Sequence, residues 1–332
     1  MFMSHYATEV CKCPLFYWGL FIFDEVNPIA YETDYQLSFL IGLLCGMYCP
    51  LSAQSFDIRY YGNHIYIPSN VNGQKANLVF DTGAELIYLD STFISGSGLS
   101  FKRIGNARLG GVGLGTRMTK IIFGDVRVVV AGSQYQPQYV PVVDLRPILG
   151  DMADGLFGLK EVADNVVFMD MNSEKMSLIN TLTPEMAEGY TRIEIEYSSR
   201  KILIPLTVVI DSNTIISGKA MMDIGSGQGI EFTSKTADKH RLELIADKKP
   251  FHYVNGGIGG ESYGFEIGIS RAELPGVDVN ADYARFSTDD SGALASDEYI
   301  AIIGNRIWEQ FSIILDIKNN SLYLKKLPST HL

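Results

Sequence analysis

The second half of this chain repeats the first. Four short stretches recur in the same order. His64-Ile65-Tyr66-Ile67-Pro68 returns as Lys201-Ile202-Leu203-Ile204-Pro205, and Leu78-Val79-Phe80-Asp81-Thr82-Gly83-Ala84 as Ala220-Met221-Met222-Asp223-Ile224-Gly225-Ser226. Gly110-Gly111-Val112-Gly113 returns as Gly256-Gly257-Ile258-Gly259, and Leu156-Phe157-Gly158 as Ile302-Ile303-Gly304. The offsets are 137, 142, 146 and 146 residues. Beyond Gly158 and Gly304 the copies run on without a gap, so that Phe168-Met169-Asp170 falls on Ile314-Leu315-Asp316 and Leu178 on Leu324. One such match is chance; four in order at a nearly constant offset mark a duplication. Two copies of one substructure are expected to pack about a pseudo-two-fold axis.

Within each copy the pattern is that of strands. Apolar alternation and short apolar runs are punctuated by turn residues, as in Tyr61-Gly62-Asn63 and Val71-Asn72-Gly73. Long helical periodicity is nearly absent. Short helices are expected at residues 160–164 and 305–311, and the join between copies at residues 180–189. The expected fold class is mainly β, with an N-terminal lobe over residues 54–182 and a C-terminal lobe over 183–332.

The 332 residues carry a formal charge of -11, and no Lys/Arg cluster of the kind that binds phosphate backbones, which argues against a nucleic-acid partner. All four cysteines (Cys11, Cys13, Cys45, Cys49) precede residue 50, so the duplicated body has no disulfide framework, zinc-thiolate site or cysteine nucleophile. Residues 37–51 form an apolar run followed by Ser52-Ala53-Gln54. That pattern suits an export signal cleaved near Ala53, and the run is shorter than the roughly 20 residues a membrane span prefers. The segment before it is acidic rather than basic (Asp24, Glu25, Glu32, Asp34). The expectation for residues 1–53 is therefore a signal-bearing extension and a periplasmic or extracellular mature chain, with an uncleaved membrane anchor as the alternative.

The repeated residues carry chemistry. Each copy has an Asp-x-Gly turn after an apolar strand, and Gly83 and Gly225 let those turns approach a partner closely. Brought together about the pseudo-two-fold axis, Asp81 and Asp223 become two carboxylates that cannot both ionise and so hold one proton between them. One then acts as base toward a water while the other donates to a carbonyl oxygen.

The chain resembles the pepsin and retropepsin superfamily of aspartyl proteases. Phe80-Asp81-Thr82-Gly83-Ala84 is similar to the family's active-site loop, with Ala84 in the form typical of retroviral enzymes. Met222-Asp223-Ile224-Gly225-Ser226 resembles the second loop. Residues 154–159 and 301–305 resemble the apolar-apolar-Gly segments that brace those loops. Gly256-Gly257-Ile258-Gly259 resembles a retroviral flap tip, and Gly110-Gly111-Val112-Gly113 a looser version of one. The likeness covers residues 65–324. It implies a bilobal acid-protease fold of two related β-barrel lobes with a cleft between them, working as a monomer because both aspartates lie on one chain. It implies Asp81 and Asp223 as catalytic residues and a polypeptide substrate held extended beneath the flaps. No metal or cofactor is implied, and no stable membrane span is expected after signal cleavage.

Two departures bear on activity. The family's second loop has Thr or Ser where Ile224 stands, so Thr82 alone can supply the hydroxyl that links the two loops. Neither flap has the Tyr typical of pepsin-like enzymes; Tyr253 and Tyr263 flank the second tip. The fourth loop positions also differ, since Ser226 can donate to Asp223 whereas Ala84 offers Asp81 nothing. Asp223 is therefore expected as the ionised member. A lone Asp-Thr-Gly is often an ordinary turn and Gly-Gly-Ile-Gly often a flexible loop, so it is the repeated order of loop, flap and brace that selects the protease reading. Asp170 and Asp316 are expected as turn residues. The competing reading is an inactive pseudo-protease that binds peptides or a partner.

Overall fold

The computed structural model describes residues 54–328. The apolar run, its cleavage point and the cysteines lie outside the described residues. The first copy contains β1 (Gln54–Asp57), β2 (Arg59–Tyr61), β3 (His64–Val71), β4 (Gln74–Asp81), β5 (Tyr88–Asp90), β6 (Ile104–Gly110), β7 (Thr116–Phe123), β8 (Val128–Val130), β9 (Ser133–Tyr135), β10 (Tyr139–Val143), β11 (Gly155–Gly158), β12 (Val166–Asp170) and β13 (Lys175–Ile179). The second contains β14 (Thr191–Glu194), β15 (Glu196–Ser198), β16 (Lys201–Val209), β17 (Ile215–Met222), β18 (Ile230–Phe232), β19 (Lys249–Gly257), β20 (Gly260–Gly268), β21 (Arg271–Leu274), β22 (Val277–Val279), β23 (Tyr283–Ser287), β24 (Ala301–Ile303), β25 (Phe311–Asp316) and β26 (Ser321–Lys326). The protein is mainly β.

The pairing repeats as the sequence does. One ten-stranded sheet runs β6-β7-β10-β5-β11-β4-β3-β8-β9 with β2 beside β3, and the other runs β19-β20-β23-β18-β24-β17-β16-β21-β22 with β15 beside β16. Each strand of the second sheet is the counterpart of the strand in the same place in the first. A third sheet, β1-β13-β12-β25-β26-β14, joins the copies and reads the same from either end. At its centre β12 and β25 pair antiparallel with Phe168 facing Ile314, so these equivalent residues meet across the pseudo-two-fold axis.

The β-barrels implied by the family resemblance are corrected to open sheets. Neither ten-stranded path returns to its first strand. The outer hairpins β6–β7 and β19–β20 make their tip hydrogen bonds with each other instead of with the far edge of their own sheet. The helices are shorter than expected as well. Leu159–Glu161 is a single 3-10 turn and Asn305–Trp308 one α-turn, after which Phe311 begins β25. Every residue of β25 is buried, so its apolar run is a strand covered on both faces, as central strands are.

One apolar core runs through both copies. Ile65, Ile67, Leu78 and Phe80 share it with Ile202, Ile204, Met222 and Leu315. The second copy also buries an ionisable pair. Glu231 on β18 faces Arg285 on β23 and is 6% exposed, and its Oε1 lacks a hydrogen-bond partner among the described residues. Burial pushes this carboxyl up to about 7, against the pull of Arg285. A carboxyl raised in the folded state stabilises below its unfolded value and loses that contribution as pH rises through its folded value. Stability should therefore fall between about pH 4.5 and 7, by up to roughly 3 kcal/mol from this group at about 1.4 kcal/mol per pH unit. Glu231→Gln should flatten that slope in urea unfolding measured across the range. An unchanged slope assigns the titration to other groups.

Candidate active site

Both Asp loops follow a strand end and are braced from one side. β4 pairs in parallel with β11, setting Phe157 beside Phe80 and Gly158 beside Asp81. β17 pairs in parallel with β24, setting Ile303 beside Met222. The braces end in glycine because the loop backbone lies against them. A Cβ on Gly158 would come 2.2 Å from the Leu86 carbonyl oxygen, and one on Gly304 would come 2.5 Å from that of Gln228.

The structure brings Asp81 and Asp223 together. Gly83 lies against the Asp223 carboxylate, where a Cβ would come 2.7 Å from Oδ2, and Gly225 lies against Asp81, where a Cβ would come 2.2 Å from Cγ. The two side chains are in hydrogen-bonding contact. Asp81 Oδ1 accepts from the backbone N–H of Gly83 at 2.7 Å and Ala84 at 2.9 Å. Asp223 Oδ1 accepts from Gly225 at 2.9 Å and Ser226 at 3.0 Å. Burial pushes both carboxyls above the ordinary range, and Asp223 goes well above it because the neighbouring Asp81 charge adds to burial. One proton is shared by the pair. The bond from Ser226 on which the expected order rested is not made. The Ser226 hydroxyl accepts from the Gln228 N–H at 3.3 Å and makes no bond to Asp223.

The loop links are asymmetric. Thr82 is 1% exposed; its Oγ1 donates to the Met222 carbonyl at 3.0 Å and accepts from the Ile224 N–H at 2.9 Å. Ile224 returns no such bond, since its side chain is buried in the apolar core. Residues to which the motifs assign no such role hold that side. Fully buried Asn305 donates to the Ile224 carbonyl at 2.6 Å and to the Asn63 carbonyl at 2.8 Å. Asn63 Nδ2 donates to the Gly227 carbonyl at 3.1 Å, and the His64 ring lies against Gly227, where a Cβ would come 3.3 Å from Nε2. The counterpart of Asn305 in the first copy is Leu159, which is buried and apolar. One copy thus combines Thr82 with Leu159, the other Ile224 with Asn305. The signal was in the sequence, as a polar residue after one brace and an apolar one after the other.

The glycine-rich tips also meet. Gly259 N–H donates to the Val112 carbonyl at 2.8 Å, Gly115 N–H to the Gly259 carbonyl at 2.9 Å, and Leu114 N–H to the Glu261 carbonyl at 3.0 Å. The apolar tip residues cross over. Val112 packs on Leu203, Met221, Leu294, Tyr299 and Ile302 of the second copy. Ile258 packs on a cluster of the first copy that includes Tyr66, Val79 and Leu156 and is also touched by Ala84 and Tyr88. Gly111 is anchored by its carbonyl to the Ala293 N–H at 2.9 Å. Gly110, Gly256 and Gly257 end the strands that carry the tips. Tyr88 and Tyr299 are both pushed up to about 12, first by burial and in part by the charge of Asp81 and Asp223 respectively, so they stay neutral beside the pair. Tyr253 and Tyr263 are engaged elsewhere, on Arg285 and on the His252 ring. Asp170 and Asp316 cap turns by accepting backbone N–H groups.

Thr82→Val and Asn305→Leu should each cost roughly 1–3 kcal/mol in urea unfolding, because each leaves buried backbone groups of Met222 or Ile224 unpaired. A loss under about 0.5 kcal/mol, the scale of an ordinary surface change, would show that the link carries no weight. Ser226→Ala should leave the titration of the Asp pair unchanged, read from carboxyl carbon shifts by NMR.

No family model matches this chain, and no curated protein is significantly similar to it.

Proposed function

We propose that this chain is an aspartic-type endopeptidase with a bilobal, pepsin- and retropepsin-like architecture, its two sheets forming the two lobes. The observation that carries the reading is the Asp81–Asp223 contact, made by equivalent loops of a duplicated frame and closed by Gly83 and Gly225. Paired carboxyls sharing one proton are suited to opposite roles in one step. Asp81 takes a proton from water as its oxygen attacks the scissile carbonyl carbon. Asp223 gives its proton to the carbonyl oxygen, and a tetrahedral diol results. Asp81 then returns a proton to the leaving nitrogen, a diol hydroxyl re-protonates Asp223, and the C–N bond breaks. The crossed tips, which carry Gly111, Val112, Gly113, Gly257, Ile258 and Gly259, offer backbone groups to an extended polypeptide held as an added strand. Export, with cleavage near Ala53, remains part of the proposal. Among the described residues no helix is long and apolar enough to cross a membrane.

A second reading rests on Ile224, the missing hydroxyl of the second loop. It makes the chain a pseudo-protease that binds peptides without cutting them. Asn305 and Asn63 argue against it, because they hold the same loop by other bonds.

Cleavage of an unfolded protein by the purified chain decides between them. Asp81→Asn and Asp223→Asn should each lower kcat by about 10²–10⁴-fold, the usual weight of a positioned acid or base. The rate should fall as pH rises through the upper step of the pair, where its shared proton is lost, and at the acid end, where the pair takes up a second one. A parent as inert as both variants, with peptide binding intact, supports the pseudo-protease.

A further inference from the structure

The two copies differ most around their outer hairpins. On the first copy a cavity of about 780 Å³ opens between β6–β7 and the helix Ser91–Gly96. Its apolar wall is made by Ile94, Leu99, Phe101, Leu109, Met118 and Ile258. Neither aspartate lines it. It adjoins their loops through Leu109 and Ile258, which pack on the same cluster as Ala84 and Tyr88. In the second copy the corresponding place is filled. Val142 and Lys120 pair and line the cavity, and their counterparts in the second sheet are Phe286 and Phe265, whose rings pack at 5.5 Å. The Arg285 guanidinium lies over the rings of Phe251 and Tyr253 at 5.4 and 5.2 Å.

Charge separates the copies in the same place. Residues 91–124 contain Lys102, Arg103, Arg108, Arg117 and Lys120 and no acid. Residues 233–268, the counterpart, contain five acids and five Lys/Arg. None of the five first-copy cations forms an ion pair with a described residue. Arg117 and Lys120 line the cavity itself, facing one acid there, Asp144. On a chain of net charge -11 this is a local positive field beside an apolar hole.

We propose that this cavity is a one-sided specificity site, taking a bulky apolar side chain of a polypeptide whose neighbouring residues are acidic. The inference rests on the protease reading for cleavage of the bound chain, but not for binding itself. A substrate strand leaving the aspartates toward the first copy meets an open apolar hole with Arg117 and Lys120 in its wall; in the opposite direction it meets the filled second-copy site. Recognition is therefore polar in sequence direction: the apolar–acidic segment lies on one side of the bond that is cut.

Binding of fluorescent decapeptides to the full chain carrying Asp81→Asn, read by anisotropy, tests this without turnover. A peptide with Phe between Asp and Glu residues should bind at least about tenfold tighter than the same peptide with Lys flanks, and the gap should close between about 0.01 and 1 M salt as screening shortens. Arg117→Glu with Lys120→Glu should invert the charge preference. Met118→Trp, at a strand position that is 65% exposed, should fill the cavity and abolish the preference for Phe over Ser. Equal binding of acidic and basic peptides, or a preference that neither variant moves, overturns the proposal. So does tight binding of dodecanoate without discrimination among peptides, which would make the cavity a small-amphiphile site. Peptide discrimination without any cleavage by the parent chain removes the protease reading and leaves this site standing.

Discussion

Two carboxylates repel each other when both are charged, by about 4 kcal/mol at about 4 Å under an effective dielectric of about 20. Short loops hold such a pair together only when they are fixed from behind. The support here is layered. β11 and β24 run parallel to the strands that carry the aspartates, and the glycines at their ends let the loop backbones lie against them. Thr82 ties the first loop to the second, and Asn305 ties the second to the strand of Asn63 and His64. At the surface Arg200 of the second copy pairs with Glu85, four residues beyond Asp81, at 2.7 Å. Given that frame, the repulsion is relieved by one retained proton, because the loops cannot separate to relieve it.

The frame is symmetric and the chemistry on it is not. Pairing of β12 with β25 places equivalent residues face to face, as a homodimer interface does. In a homodimer every substitution appears twice. In one chain each copy changes alone, and three comparisons show it: Thr82 with Leu159 against Ile224 with Asn305, Tyr88 with Pro141 against Glu231 with Arg285, and a hairpin segment without acids against a mixed one. In the first the polar bond has moved from the loop to the residue after the brace. In the second the places of Tyr88 and Pro141 are taken by an ionisable pair, and burial raises Glu231. These changes leave the strand order untouched and alter what lies beside the aspartates.

Much of this was legible from residue order. Four matched stretches at nearly constant offset foretold equal pairing in the two sheets, and short apolar runs with turn residues foretold strands. The join, the loops and the tips come from the same repeat. Less legible were features that depend on which surfaces meet. The implied barrels are open sheets, because the hairpin tips bond across the pseudo-two-fold axis. The expected helix through 305–311 stops at Trp308, because Phe311 enters a sheet with both faces covered. Ser226 stood in the right place to charge Asp223, yet its hydroxyl turned to the Gln228 N–H.

What the residues determined alone was the duplication, the β class and the two candidate aspartates, since each depends on local pattern and repetition. Only the tertiary structure decided that the Ser226 hydroxyl leaves Asp223 alone, that Asn305 stands in for the missing hydroxyl at position 224, and that Val112 and Ile258 exchange sides. The last two outcomes depend on burial and on partners 81 or more residues apart in the chain. A side chain's charge state and hydrogen bonds are set by what surrounds it in space.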